Sequence, residues 1–423
     1  MPGRVIHVIG AGVAGLAAAV RLAQAGERVV VHEATAQAGG RCRSYYDHAV
    51  GMVIDNGNHL LLSGNHAALS FLRAIGSERG LSGPAATEFP FIDLATKERW
   101  CLRPNPGRLG WWVFCAGRRV PGTRAFDYVG LLKVLRAAKG TAIAQAMTCA
   151  GTVYDRLWRP ILLAALNTDP PEGDATLAAQ VIRETLFVGG RAYRPLIAKD
   201  GLSATLVDPA IRFLQAHGGA IRFEHNLHAL RFAGRRAAAL DFGQEVEELG
   251  GDDAVVLAVP PYMAKTLVPD VEAPDQFRAI VNAHFAIAPP PDFPPMIGVV
   301  NGMVEWIFAF PGRLSVTISG ADRLLSTPRE ALAETIWREV AAVVGIAAEL
   351  PPWQIVRERR ATFAAIPSQN AKRPGARTKW DNLMLAGDWT ATGLPATIEG
   401  AIRSGNRAAD ALNRGMGSDI KPS

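Results

Sequence analysis

The sequence predicts an α/β fold in which a parallel sheet with flanking helices is interrupted by an inserted α+β domain. The first observation is an apolar strand at residues 5–9, followed by a glycine-rich turn and an Ala-rich helix. The second is a short apolar strand at residues 382–386, which Gly387-Asp388 closes before another helix. The third is the wide separation of these two pieces, which leaves room for insertions between them.

The first turn has the pattern G-x-G-x-x-G. Gly10 permits a tight turn, Gly12 lets the backbone approach a diphosphate, and Gly15 lets the helix pack closely on the strand. The helix N-terminus offers free N–H groups to phosphates. A second strand ends at Glu33, near the offset of roughly 20 residues expected for an acid that binds a ribose hydroxyl. The sequence therefore predicts a Rossmann-like dinucleotide site. Its expected contacts are Gly10, Ala11, Gly12, Val13, Ala14, Gly15, Glu33 and Ala34.

The next motif narrows the cofactor to a flavin. Gly39-Gly40-Arg41 combines two permissive backbone positions with a guanidinium suited to a diphosphate. It resembles the Gly-Gly-Arg element of the flavoprotein amine oxidases and carotenoid desaturases, the GR2-type flavoproteins. The segment from Asp55 to His59 resembles their Asp-x-Gly segment, which runs beside the isoalloxazine ring. The resemblance implies FAD. The expected contacts of these two motifs are Gly39, Gly40, Arg41, Asn56, Gly57, Asn58 and His59.

The carboxyl-terminal strand, turn and helix complete the flavin interpretation. In the resembling families an acid at the position of Asp388 bonds the ribityl chain, and the following helix directs its N-terminus at the flavin pyrimidine. A backbone segment near Leu227 corresponds to the one that pairs with adenine. No cysteine lies beside Gly387-Asp388, so the FAD is expected to be noncovalent. The expected contacts here are Leu227, Gly387, Asp388, Thr397 and Ile398.

The domains are predicted to be discontinuous along the chain. We expect the FAD-binding domain to comprise residues 1–68, 200–261 and 380–414, because these segments carry the flavin motifs and a buried strand that ends at a proline pair. The substrate-binding domain would comprise residues 69–199, with apolar residues at helical spacing, and residues 262–379, with several apolar strands. Residues 415–423 read as a tail.

Composition limits the partners. The formal charge of +6 at pH 7 is carried mostly by Arg, since Lys occurs only eight times among the 423 residues. No basic run is interleaved with aromatic residues, so no nucleic acid is expected, and either anionic lipid or no specific partner is favoured. The four cysteines are widely spaced, which indicates neither a disulfide framework nor a zinc site, and no metal is expected. Neither a signal peptide nor a membrane span is apparent, so a cytoplasmic protein is predicted.

Over nearly its whole length the sequence resembles the squalene-associated FAD-dependent desaturases, within the superfamily of flavin amine oxidases and phytoene desaturases. The segments that carry the match are residues 54–62, 102–106, 156–160, 163–168, 195–203 and 386–402. The resemblance implies a reductive reaction of bacterial squalene and hopanoid biosynthesis. An allylic C–O bond of hydroxysqualene would ionise, and hydride from N5 of reduced FAD would give squalene and water. His59 and Asp55 are the candidate acids for the leaving oxygen.

The source of electrons follows from an absence in the sequence. No second dinucleotide fingerprint occurs, so the electrons are expected from a separate reductase or from transient docking of NAD(P)H.

Three other functions remain open. An amine oxidase places a lysine near N5 and two aromatic rings around the amine, but this chain has no Lys between Lys265 and Lys372, and Trp389 lacks an apparent partner. A carotenoid-type desaturase would use the flavin oxidatively on a similar polyene. A flavin-binding membrane protein without enzymatic activity would not reoxidise its flavin with a polyprenyl alcohol.

A membrane surface is the last expected partner. The segment Gly110-Trp111-Trp112-Val113-Phe114 resembles an interfacial anchor, with aromatic rings at headgroup depth. The cations that flank it are Arg103, Arg108, Arg118 and Arg119. A solvent-shielded aromatic hairpin is the alternative interpretation. Because a polyprenyl substrate partitions into bilayers, we expect peripheral association with the inner face of the cell membrane.

Overall fold

The computed structural model describes residues 4–414. The predicted tail, residues 415–423, lies outside the described part of the chain. The strands are β1 (Val5–Ile9), β2 (Arg28–His32), β3 (Ser44–Asp47), β4 (Met52–Asp55), β5 (Leu60–Leu62), β6 (Leu81–Ser82), β7 (Phe89–Asp93), β8 (Arg99–Leu102), β9 (Pro195–Ala198), β10 (Ala220–Arg222), β11 (Ala229–Ala233), β12 (Arg236–Asp241), β13 (Val246–Glu248), β14 (Ala254–Leu257), β15 (Phe277–Phe285), β16 (Met296–Val300), β17 (Trp306–Phe310), β18 (Arg313–Ile318), β19 (Trp353–Phe363) and β20 (Leu383–Leu385). The α-helices are α1 (Val13–Gln24), α2 (His66–Ala74), α3 (Leu131–Val134), α4 (Ile143–Ala146), α5 (Arg159–Leu166), α6 (Ala175–Glu184), α7 (Asp208–Ala216), α8 (Pro261–Leu267), α9 (Arg329–Val344), α10 (Pro367–Asn370) and α11 (Ile398–Arg414).

A five-stranded parallel sheet forms the first unit, in the order β10-β2-β1-β14-β20. Strand β14 is apolar on both faces, as expected for a parallel sheet covered on both sides, and β1 is apolar except at His7. Helices α1 and α11 pack against each other closely, because a Cβ atom on Gly405 would lie 2.2 Å from the carbonyl oxygen of Ala14. All five strands come from residues 1–68, 200–261 and 380–414. The assignment of this unit to FAD stays a prediction.

A seven-stranded mixed sheet forms the second unit, in the order β19-β15-β18-β17-β16-β7-β8. One face packs against α9 through Val281, Val316 and Trp337. The opposite face is lined by aromatic side chains, such as Phe91 and Trp306, and is covered by the helical segments of residues 111–186. The strands between residues 277 and 363 therefore separate two apolar cores, of which the aromatic one adjoins the parallel sheet.

Several element boundaries differ from expectation for identifiable reasons. The amphipathic pattern of residues 200–215 predicts a single helix, but the chain first forms a π-helical turn at Ser203–Val207 and only then α7. A second π-helical turn, Tyr154–Trp158, precedes α5. In both helices a proline follows the turn, Pro209 and Pro160, and its missing N–H prevents a regular α-helical ladder there.

The sequence predicts a strand over residues 227–232, but this strand, β11, begins at Ala229. Just before this strand, the backbone N–H of His228 donates a hydrogen bond of 2.8 Å to the carbonyl oxygen of Asp241. Among the helices within residues 4–414, none combines the length and the apolar character needed to cross a bilayer.

Candidate active site

The glycine turn leaves an open space in front of helix α1. Gly10 has φ +104°, and a Cβ atom there would lie 2.6 Å from the carbonyl oxygen of Ala258, so only glycine fits. A Cβ atom on Gly12, by contrast, would meet no atom within 4 Å. Gly12 is the N-cap of α1, where no side chain caps the helix and the first turn carries no acid. The backbone N–H groups in the first turn of α1, at Val13 and Ala14, can therefore donate hydrogen bonds to an anion.

Glu33 lies at the edge of this open space. One of its carboxylate oxygens, Oε2, accepts a hydrogen bond of 2.9 Å from the backbone N–H of Ala11. The other, Oε1, accepts bonds from the N–H of Thr35 (3.0 Å) and from its hydroxyl (2.8 Å). Ala34, the next residue, is exposed. Glu33 is thus held by its own turn, and Oε2 keeps a lone pair for a ribose hydroxyl.

The Gly-Gly-Arg element packs on the glycine turn. Gly39 has φ +104°, and its N–H donates to the carbonyl oxygen of Ala11 at 2.9 Å. Gly40 has φ +55°, and a Cβ atom there would lie 3.5 Å from the Cα atom of Gly12. The two glycines therefore bring the segment that carries Arg41 close to Gly12, where the diphosphate is expected to bind.

Arg41 joins the two ends of the chain. Its guanidinium donates to Asp388 Oδ1 at 2.8 Å and to the carbonyl oxygen of Ala361. Desolvation lowers the pKa of Arg41, but the charge of Asp388 and the hydrogen bond outweigh it, and the pKa is raised. The two residues expected to bind diphosphate and ribityl chain thus contact each other, and both cofactor roles stay predictions.

The segment after Asp55 is held by the seven-stranded sheet. Asn282 Oδ1 faces the backbone N–H of Asn58 at 3.4 Å, and Asn282 Nδ2 donates to the carbonyl oxygen of Asn56 at 3.4 Å. Asn58 Nδ2 donates to the hydroxyl of Thr317 at 3.2 Å, and this hydroxyl donates to Asn282 Oδ1 at 2.8 Å. Sequence reasoning missed Asn282 and Thr317. Both strands carry other polar residues, such as His284 in β15 and Ser315 in β18, so the sequence gives no specific signal for these two.

Asn58 also carries an unmet hydrogen-bonding group. Its Oδ1 atom is buried and finds no donor among residues 4–414. Buried polar atoms are normally paired, so an orphaned acceptor here fits a ligand that brings an N–H group. Together with the open space at Gly12, this acceptor supports the fit of these residues to a flavin dinucleotide.

The two candidate acids have different environments. Asp55 is 3% exposed, and its Oδ1 accepts bonds from the Ser44 hydroxyl (2.6 Å) and the backbone N–H of Leu202 (2.8 Å). His59 is half-buried beside Gly57. Burial lowers the pKa of His59 to about 4, with Arg41 acting in the same direction and Asp55 against it. His59 is therefore a neutral imidazole at pH 7.

The carboxyl-terminal loop is clamped by a residue that sequence reasoning missed. The guanidinium of Arg373 donates to the carbonyl oxygens of Asp388 (3.1 Å) and Trp389 (3.3 Å), and also to that of Thr390. Arg373 is buried, and desolvation lowers its pKa to about 10, so it stays charged at neutral pH. An isolated arginine in a loop gives no sequence signal for this role.

The remaining predicted residues have well-defined places. Gly387 has φ +146°, and its N–H donates to the hydroxyl of Ser404 at 2.9 Å. The Thr397 hydroxyl accepts from the N–H of Gly400 at 3.0 Å and so caps α11 immediately before Ile398. Leu227 is buried in the aromatic core.

Trp389 is a packing residue. It is buried, and its indole N–H donates to the carbonyl oxygen of Val259 at 2.9 Å. An amine-binding cage needs an exposed ring face on the substrate side. Trp389 therefore does not supply the aromatic ring that an amine oxidase would need at this position.

Glu305 is a titratable group that the sequence did not single out. It directly precedes β17, and its Oε2 accepts from the N–H of Ser319 at 2.8 Å. Burial raises the pKa of this carboxyl to about 7, against the lowering effect of the bonds to Ser319 and of Arg323 and Arg159. Glu305 can therefore hold a proton at neutral pH.

Comparisons with known proteins identify the family of the chain. The family model of the flavin containing amine oxidoreductases matches residues 13–413. The chain is 61% identical to the hydroxysqualene dehydroxylase of Rhodopseudomonas palustris over 96% of its length and 98% of the relative's, and 56% identical to that of Sinorhizobium fredii over 96% and 97%. The cyclohexylamine oxidase of Brevibacterium oxydans superposes with a TM-score of 0.73 at 16% identity, over 98% of this chain and 99% of the other. The chain therefore belongs to the flavin-containing amine oxidoreductases, and within that family to the group of proteins named hydroxysqualene dehydroxylase.

Proposed function

We propose that this protein holds FAD noncovalently and removes the hydroxyl group of hydroxysqualene to give squalene and water. The observation that carries the proposal is the high identity, over nearly the whole chain, to proteins named for this reaction. Bound and reduced FAD would supply the hydride. The chain itself must bind and orient the cofactor, exclude water from the substrate and provide a proton.

Binding of the cofactor falls to the residues around the glycine turn. The uncapped N-terminus of α1 and the open space at Gly12 suit the diphosphate, and Glu33 suits the adenosine ribose. The ion pair of Arg41 with Asp388 connects the Gly-Gly-Arg element to the carboxyl-terminal loop, and the ribityl group of FAD is expected beside it. All four cysteines are free thiols.

The substrate would lie on the aromatic face of the seven-stranded sheet. Phe91, Trp306 and Phe308 are buried there within one apolar core. A hydrocarbon chain of thirty carbons gains free energy from such surroundings, at about 25 cal/mol per Å² removed from water. The stretch between Lys265 and Lys372 contains no lysine, so its strands lack the lysine that an amine oxidase places near its flavin.

Protonation of the leaving oxygen requires an acid that carries a proton at neutral pH. The pKa of His59 lies near 4, so only its neutral N–H can serve, and Asp55 is engaged by Ser44 and Leu202. Glu305 also meets this requirement, because burial raises its pKa to about 7 and it directly precedes β17, whose Trp306 and Phe308 lie on the face proposed for the substrate. We retain His59 and Asp55 as candidates and add Glu305.

An anaerobic single turnover tests the reaction. Protein reduced by dithionite in D2O is mixed with hydroxysqualene, and we expect squalene with one deuterium at the former carbinol carbon. Unlabelled squalene would contradict the hydride step. A more unsaturated product from the oxidised protein would instead support a carotenoid-type desaturase.

The acid is identified by comparing variants in the same assay. Glu305→Gln, His59→Gln and Asp55→Asn are compared by pH–rate profile. We expect the variant of the true acid to lose turnover by at least about 100-fold while it retains FAD. The electron donor is tested alongside: flavin reduction by NADPH alone would exclude the need for a separate reductase.

We further propose that residues 109–132 dock the protein on a membrane. Leu109, Phe114 and Phe126 are 80%, 72% and 85% exposed, far more than large apolar side chains usually are. Trp111 is also exposed and carries the guanidinium of Arg118 at 4.8 Å from its ring centroid. The exposed cations around this surface are Arg108, Arg124, Lys133, Arg136 and Lys139. An apolar surface with a basic rim complements an anionic leaflet.

The structure changes the composition of the expected anchor. Trp112 is buried, with its ring 5.5 Å from that of Tyr128, so it is a packing residue. Co-sedimentation with anionic liposomes therefore compares the native protein with a triple variant, Leu109→Ser, Phe114→Ser and Phe126→Ser. Tyr46→Ser, which removes an aromatic ring that is 57% exposed elsewhere, is the control. Equal binding of native protein and triple variant would refute this docking surface.

A further inference from the structure

Three hydrogen-bonded histidines form a row on the face of the parallel sheet that packs against strands β11–β13. His7 in β1 and His32 in the neighbouring strand β2 lie two register positions apart and are almost fully buried. His7 Nδ1 lies 3.1 Å from His32 Nε2, and His32 Nδ1 lies 2.8 Å from His225 Nδ1. None of these residues belongs to the active site described above.

Two carboxylates complete the cluster from the β12–β13 hairpin. Glu247 Oε2 lies 3.9 Å from His7 Nδ1, and Glu245 Oε2 lies 3.6 Å from His225 Nε2. The donor atoms of His7, His32 and Glu247 all lie within 4.8 Å of one another. The histidines and glutamates are far apart in the sequence, which is why their spacing gave no metal signature.

We propose that His7 Nδ1, His32 Nε2 and Glu247 Oε2 bind a divalent transition-metal ion, with Zn²⁺ as the best match. Two imidazoles and one carboxylate are a common ligand set for zinc, with a fourth position for water. Ligand atoms about 2.0–2.2 Å from zinc lie about 3.4 Å from each other in a tetrahedral site. The separations of 3.1 and 3.9 Å from His7 Nδ1 require only small movements, and His32 Nε2 and Glu247 Oε2, which lie within 4.8 Å of each other, must move closer together.

The surroundings support the ligand form of both histidines. Metal ions bind the neutral imidazole, and burial lowers the pKa of His32 to about 2 and also lowers that of His7. His32 presents its second ring nitrogen to His225, whose own second nitrogen faces Glu245. Such a series of outer partners fixes the tautomer of a metal-binding histidine.

Two further charged groups act on the site. The guanidinium of Arg222 lies 3.3 Å from Glu247 Oε2 and 3.6 Å from Glu245 Oε1, so it competes with a cation for both carboxylates. Asp253 contributes negative charge near His7, while its Oδ1 accepts from the N–H of Val5 at 2.8 Å. A metal site therefore predicts that loss of Arg222 tightens cation binding, a result that a purely structural histidine chain would not give.

The site lies next to the end of strand β2 that carries Glu33. His32 directly precedes Glu33, and the backbone N–H of His225 donates to the carbonyl oxygen of Glu33 at 2.8 Å. A bound ion would link β1, β2 and β13 through their side chains. It would thereby stabilise the end of β2 that carries Glu33, whichever substrate the enzyme uses.

Metal titration of the FAD-loaded protein without an affinity tag tests the proposal. Isothermal titration with Zn²⁺ and absorption spectra with Co²⁺ should each give one saturable equivalent. Glu247→Gln and His7→Gln should weaken binding at least about 100-fold, and Glu245→Gln about 10-fold. Arg222→Gln should tighten it several-fold. His217→Gln, which alters an exposed histidine, is the matched control and should change nothing.

The alternative is a hydrogen-bonded histidine chain that stacks on Phe242, whose ring centroid lies 3.7 Å from that of His225. This alternative predicts no stoichiometric uptake of Zn²⁺ or Co²⁺, and that result would overturn the proposal. Equal affinity in the native protein and in Glu247→Gln would overturn it as well. Since Glu247 is partly exposed, this variant is expected to fold and keeps the test decisive.

Discussion

Replacement of Arg373 by methionine should destabilise the protein and loosen its predicted flavin loop. The buried guanidinium bonds the carbonyl oxygens of three successive residues, Asp388 to Thr390, and lies 4.7 Å from the ring centroid of Phe363. Each buried carbonyl that loses its donor costs about 1–3 kcal/mol. Because the loop can relax and admit water, we expect a total loss of about 3–5 kcal/mol.

The assay is urea unfolding followed by circular dichroism, together with FAD titration of the apoprotein. Arg407→Met is the matched control, since Arg407 is exposed and donates one bond, of 2.9 Å, to the carbonyl oxygen of Ala391 on the same loop. Its loss should cost less than about 1 kcal/mol. Arg373→Lys keeps the charge but not the planar fork, so we expect an intermediate result. Equal unfolding free energies of Arg373→Met and Arg407→Met would refute the clamp.

Three further predictions concern the cofactor and the pH dependence of stability. Glu33→Ala should weaken FAD binding by about 1.5–3 kcal/mol, measured by fluorescence titration, because a charge-assisted bond is lost; Glu272→Ala, at an exposed acid, is the control. Heat or acid precipitation should release all flavin, and a yellow pellet would contradict noncovalent binding. Burial, assisted by Arg313, lowers the pKa of His284 to about 3, so the folded state keeps this imidazole neutral. Below pH 6.5 the unfolded chain binds a proton at this imidazole and the folded chain does not. The free energy of unfolding therefore decreases as the pH is lowered, by about 2 kcal/mol between pH 7 and pH 5. His284→Gln should remove this component from urea unfolding at pH 7 and 5, and an unchanged difference would refute the assignment.

The sequence by itself determined what depends on neighbouring residues. The glycine turn, the turn in which Thr35 bonds Glu33, and the cap at Thr397 are each formed within a few residues of the chain, so local patterns predict both the strand–turn–helix units and the dinucleotide site. The continuous apolar run at residues 306–310 likewise predicts a strand, and β17 occupies those positions. Backbone geometry and short-range hydrogen bonds are local, and local patterns record them.

Only the tertiary structure decided which distant residues meet. Arg41 pairs with Asp388 across 347 positions of the sequence, and Asn58 meets Thr317 across 259. The bonds of Arg373, the burial of Trp112 and the pKa of Glu305 depend on which strands become neighbours. Burial and electrostatic fields are properties of the packed molecule, since they sum over all surrounding atoms, and a linear pattern does not contain them.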